Sequence, residues 1–113
     1  MNKKINPDII RLNDILKMID ELLSFSKDGL TDRKTIMAVA YGIAIIGEAA
    51  GKISDDIIKR HSEIPWKEIT GMRHRIIHNY GNVNLERLKE AVEKDLPDLK
   101  PKILKIVSDI KSK

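Results

Sequence analysis

Tyr41-Gly42-Ile43-Ala44-Ile45-Ile46-Gly47-Glu48-Ala49-Ala50-Gly51 is the stretch whose reading decides the fold. Ile43, Ile46 and Ala50 repeat at helical spacing, and Ile45 adds an apolar group on another side. Gly42, Gly47 and Gly51 leave room for a neighbouring backbone. A helix apolar around much of its circumference lies at the centre of its domain or packs against a second subunit. Glu48 is an acid among apolar neighbours, and a position facing a site would account for it.

Working outward, Ile36, Val39, Ile53 and Ile57 extend the same apolar face, and Thr31 or Asp32 caps its start. Unbroken to Arg60, this second helix would run about 45 Å. Gly51 and Ser54 are the points where it could be interrupted. Before it, Asp8 to Phe25 carries Ile9, Leu12, Leu16, Ile19 and Leu23 as one stripe, widened by Ile15 and Leu22. Lys27-Asp28-Gly29 ends that first helix.

Beyond it, Ile64-Pro65-Trp66 opens a third helix, whose inward residues are Ile69, Met72, Ile76 and Ile77 and which ends before Gly81. Asn84 caps a fourth, with Leu85, Leu88 and Val92 toward the core. Pro97 and Pro101 are expected to break or restart the chain. Leu99, Ile103, Ile106 and Ile110 form a last stripe. The expected architecture is all-α: an antiparallel bundle of four main helices plus a short one, in a single domain over residues 1–113.

Composition narrows the function classes. The absence of cysteine excludes disulfides, thiolate zinc sites and cysteine nucleophiles. No apolar run approaches the roughly 20 residues of a membrane span, and Met1 to Asp8 lacks the apolar centre of a signal peptide, so a cytoplasmic protein is expected. The net charge of +4 permits a polyanionic partner. Its distribution is more telling. Lys59 to His78 holds five basic residues against two acidic ones, together with His61, His74 and His78, the chain's three histidines.

Arg73-His74-Arg75-Ile76-Ile77-His78-Asn79-Tyr80 therefore draws the chemistry. Arginine offers forked donors for phosphate oxygens, and histidine moves a proton near neutral pH. RNA carries its own nucleophile in the 2′-hydroxyl. An imidazole that takes that proton, beside a guanidinium that steadies the phosphate, is a minimal metal-free cleavage site. On one ideal helix, however, Arg73 and His78 lie about 140° apart. Either the helix unwinds near His78 or a second copy completes the site. His74 and His78 have metal-ligand spacing, yet no acid or further ligand accompanies them, and no metal or other cofactor is expected. His61 reads as a helix-end cap, Trp66 as a packing anchor, and Tyr41 as a core or interface residue.

The Arg73, His78 and Tyr80 pattern, with polar His74 after the arginine, resembles the HEPN superfamily, and within it the HepT-like proteins encoded beside minimal nucleotidyltransferases. Ile64-Pro65-Trp66 and Gly71-Met72-Arg73 resemble the family's approach to that motif, Ile46-Gly47-Glu48-Ala49 its central helix, and Asp95-Leu96-Pro97 its late turn. Asn79 stands where relatives often have glycine. The resemblance implies a metal-independent ribonuclease toxin of a toxin–antitoxin pair, active as a homodimer. Arg73 and His78 would be catalytic, with His74 beside them in support. Cellular RNA, tRNA included, would be the substrate. A nucleotidyltransferase antitoxin would transfer AMP to Tyr80. The alternative is a non-catalytic module that binds nucleotide and the nucleotidyltransferase.

Overall fold

The computed structural model describes residues 6–78 and 82–112. Helix α1 spans Pro7–Phe25, α2 Arg33–Gly51, α3 Asp55–Arg60, α4 Trp66–Ile76, α5 Leu85–Glu90 and α6 Leu96–Lys111. A π-helical segment, Ala91–Asp95, joins α5 to α6 without a break. The bundle measures 48 × 24 × 24 Å. Its four long arms are α1, α2, α4 and the continuous α5–α6 helix, and α3 is the short element. Among the described residues no strand forms, only an isolated bridge between Ile77 and Val83.

The ends of the helices follow from side-chain chemistry. The Asn6 carboxamide oxygen accepts from the Asp8 and Ile9 amides at the start of α1. Asp32 accepts from the Thr35 amide at 2.8 Å, and the hydrogen bonds from Thr35 hold its carboxyl below the ordinary range. Gly29, at φ +97°, lets the chain turn after α1 where other residues would be strained. The long second helix stops at Gly51. Ser54 then caps α3 by accepting from the Ile57 amide, so the interruption falls between the two candidate points. The Asp8 carboxylate receives both the Ser54 amide (2.9 Å) and the Ser54 hydroxyl (2.7 Å), tying this corner to the first turn of α1.

Helix α2 is the central arm, packed between α1 and α4. Val39, Ile43, Ile46 and Ala50 are buried there. By length and composition α2 could cross a membrane, but these apolar side chains are used inside the bundle. Gly42 lies so close to Leu22 that a Cβ would sit 2.9 Å from its Cγ. Gly47 faces backbone, with a Cβ position 3.2 Å from the Ile69 carbonyl oxygen. The small residues thus set the approach of α2 to both neighbours.

Four expectations need correction. The buried centre of α1 is Leu12, Ile15, Ile19 and Leu22, while Leu16 and Leu23 are only partly buried. Ile77 is not helical: α4 ends at Ile76, and Ile77 is extended and half-buried. Leu85 sits at 41% exposure in the first turn of α5 rather than in the core. Pro97 and Pro101 do not break the chain. Pro97 follows directly on the π-helical segment, and both prolines are exposed, so solvent reaches the carbonyls they leave unpaired.

Candidate functional site

An open groove of about 720 Å³ runs between α2 and α4. Met37, Tyr41, Ala44, Ile45 and Glu48 form its α2 wall, and Thr70, Arg73 and His74 its α4 wall; Ile77 and Val83 also line it. Helix periodicity explains the assembly. Tyr41 and Glu48 are seven residues apart and nearly eclipsed, and Thr70, Arg73 and His74 recur at three- and four-residue spacing on α4. Close contact at Gly47 draws the two walls together.

Arg73, His74 and Glu48 therefore share one groove, and all three are exposed. Glu48 forms an ion pair with Lys52 at 3.6 Å, with both side chains mostly in solvent. Such a pair contributes little stability, which leaves Glu48 free to respond to a ligand. His78 is exposed and lies one residue beyond Ile77, outside the groove-lining set. Its position is set by main chain: the His78 amide donates to the Asn82 carbonyl and the Asn84 amide to the Ile76 carbonyl, both at 2.7 Å. These bonds close a narrow loop immediately after α4. The Asn84 side chain also accepts from the Arg87 amide, so the loop is anchored on the first turn of α5. Tyr80 lies outside the described residues.

The other sequence candidates take structural places. His61 is the C-cap of α3, its Nδ1 3.6 Å from Glu63, and its carbonyl accepts the Trp66 indole N–H at 3.0 Å. Trp66 is buried, as a packing anchor should be. Tyr41 is not a core residue: it is 67% exposed and lines the groove. Its seven-residue spacing from Glu48 was the available signal for that placement, together with Met37 one turn earlier. Among the described residues no group of three or more histidines and carboxylates is arranged to hold a metal.

On the opposite side of α4, a cavity of about 410 Å³ is lined by Met72, Arg75, Arg87, Asp95 and Leu99, among others. Burial and nearby Glu90 push the Asp95 carboxyl above its ordinary range. Glu48, Arg73 and His74 do not line this cavity.

The structure is thus a small helical bundle that presents arginine and histidine along one open groove, just before a further histidine. The Ribonuclease HepT-like family model matches residues 12–106. A protein named "Probable ribonuclease HepT" from Thermococcus cleftensis is 39% identical over 84% of this chain and 91% of its own length. A "Putative RNase" of Methanocaldococcus jannaschii is 34% identical over 90% of this chain and 92% of its own. Another, from Caldanaerobacter subterraneus, is 35% identical over 72% of each. No solved structure matches the chain. The chain belongs to the HepT-like ribonuclease family of the HEPN type, and it is a ribonuclease.

Proposed function

We propose that this ribonuclease cuts RNA without a metal, using Arg73 and His78 at a cleft between two copies of the chain. The carrying observation is the groove: Arg73 and His74 stand on one wall beside Glu48 on the other, and the chain leaves the helix at Ile76 so that His78 is freed from the helical register. In this reading His78 takes the proton of the 2′-hydroxyl, whose oxygen attacks the adjacent phosphorus. The bond to the 5′-oxygen breaks, and that oxygen takes a proton from a protonated imidazole, His78 of the second copy or His74. Products are a 2′,3′-cyclic phosphate and a 5′-hydroxyl end. Arg73 steadies the phosphate as charge builds on its oxygens.

A two-fold dimer brings two copies of Arg73 and His78 into one cleft. The biological role is that of a toxin acting on cellular RNA, tRNA included. A minimal nucleotidyltransferase antitoxin silences it by transferring AMP to Tyr80. Negative phosphates there block RNA through repulsion and bulk.

Purified protein incubated with total tRNA in EDTA tests the reading. Cleavage by wild type and its loss in Arg73→Ala and His78→Ala are expected, with the helical circular dichroism retained. Full activity of His78→Ala would remove the mechanism. Mixing the two inactive variants tests the shared cleft: restored activity requires Arg73 of one copy to work with His78 of another. Intact mass after co-expression with the nucleotidyltransferase should rise by whole AMP units, and Tyr80→Phe should abolish the gain.

A further inference from the structure

Tyr41 has no role in the mechanism above, yet it is the most exposed of the large apolar side chains described, at 67%. The chain contains only four aromatic residues, one Trp, two Tyr and one Phe. Two of the described aromatic rings, Phe25 and Tyr41, lie at the surface, and the Tyr41 ring lines the same groove as Arg73 and His74. The two walls of the groove differ in chemistry. On α2, Met37, Tyr41 and Ala44 present an apolar and aromatic surface; on α4, Arg73 and His74 present nitrogen donors. A single RNA strand has the matching asymmetry, a charged phosphate edge and an apolar base edge.

We infer that Tyr41 is a stacking platform for a nucleobase flanking the scissile phosphate, so that single-stranded RNA lies with its phosphates toward α4 and its bases toward α2. The inference rests on the RNase reading of this groove. Met37, one turn before Tyr41 and 53% exposed, extends the platform with a polarisable side chain. Glu48, two turns of about 5.4 Å beyond Tyr41, sets the limit of the strand's path, because a carboxylate repels the phosphate backbone. Stacking on a ring accepts any base, so the platform selects unpaired RNA over duplex rather than one sequence.

The test uses a short 2′-O-methyl RNA, which binds but lacks the attacking hydroxyl, with affinity read by fluorescence anisotropy. Tyr41→Ala should weaken binding roughly 5- to 100-fold, and Tyr41→Phe should stay near wild type, since the ring and not the hydroxyl stacks. In cleavage assays the loss should appear in KM, with kcat largely kept. An abasic nucleotide at the stacked position should make wild type and Tyr41→Ala bind alike. Unchanged binding by Tyr41→Ala would overturn the inference. So would a loss that sedimentation shows to follow from dissociation of the dimer, which would make Tyr41 an interface residue. The binding arm needs no cleavage. A wild type that fails to cut RNA but binds the analogue through Tyr41 would sink the proposed mechanism and leave the platform standing.

Discussion

Three glycines of α2 form an internally controlled series. Replacing each by alanine changes one methyl group on the same helix, and intrinsic helix propensity favours alanine by up to about 1 kcal/mol at every site. The surroundings differ. At Gly42 the new Cβ would sit 2.9 Å from Cγ and Cδ1 of Leu22 and closer still to Cδ2. Leu22 is fully buried, so its side chain can yield only against other core residues. Overpacking of this kind costs about 1–3 kcal/mol, and Gly42→Ala should lose about 1–2 kcal/mol net. At Gly51 the nearest atom is Thr70 Cγ2 at 3.9 Å, an ordinary contact, and Gly51→Ala should gain about 0.5 kcal/mol. Gly47 is intermediate: its Cβ would meet the carbonyl oxygens of Ile69 and Thr70 at 3.2 and 3.4 Å. A shift of a few tenths of an ångström relieves that contact, so stability should change little. The shift moves α4, and with it Arg73 and His74, away from Glu48. Urea unfolding at one fixed protein concentration reads the series, since any dimerisation adds to apparent stability. The midpoints of Gly42→Ala and Gly51→Ala should differ by about 1 M urea with similar slopes. Gly42→Ala as stable as wild type, or Gly51→Ala as damaged as Gly42→Ala, would refute the packing argument.

Asp8→Ala removes the acceptor of two Ser54 bonds and should cost about 1 kcal/mol, seen as a lower Tm; an unchanged Tm would mean solvent replaces both bonds at no cost. Trp66→Phe takes away the indole bond to the His61 carbonyl together with packing volume, and should cost about 1–2 kcal/mol in urea unfolding. Asp95 gives a pH signature. Burial first and Glu90 second raise its carboxyl in the folded state, so ionisation opposes folding. That penalty is absent below the unfolded pKa, where the group is neutral in both states. It grows as pH rises and is complete above the folded value. Asp95→Asn should therefore raise Tm by about 1–3 °C at pH 7 and by nothing near pH 3. An equal gain at both pH values would point to packing rather than charge.

The bundle could be read from its stripes because burial follows the 3.6-residue period where helices are long. Val39, Ile43, Ile46 and Ala50 on α2, and Leu99, Ile103 and Ile106 on α6, are buried as their spacing requires. Local rules failed where a neighbour or solvent changed the balance. Proline predicts a break when its lost bond is buried, but Pro97 and Pro101 face water. The π-helical segment has no sequence signal of its own. Leu85 fits the apolar stripe, yet it sits in the first turn of a six-residue helix beside a loop, where little packs against it. Tyr41 read as a core or interface residue, and the structure removes the core half of that reading: its spacing from Glu48 places it on the groove wall.

The same groove alters how the Arg73 and His78 pair should be judged. The 140° separation on a straight helix was an argument for a second copy. It assumed that helical geometry persists through His78. The chain instead leaves the helix at Ile76, and the bonds from His78 to Asn82 and from Asn84 to Ile76 fold it back on itself. Backbone register therefore no longer forbids the two side chains from serving one phosphate within a single copy. What still favours two copies is the need for two proton-transfer groups, one to deprotonate the 2′-hydroxyl and one to protonate the leaving oxygen. A single copy has a second imidazole in His74, already on the groove wall. The roles separate by substitution. If His74 donates the leaving-group proton, His74→Ala should lower kcat by the 10²–10⁴-fold typical of a general acid and leave KM unchanged. If His78 of the second copy donates it, His74→Ala should cost less than tenfold. In that case a heterodimer of wild type and His78→Ala should lose nearly all activity, because the shared cleft then lacks one of its two proton carriers.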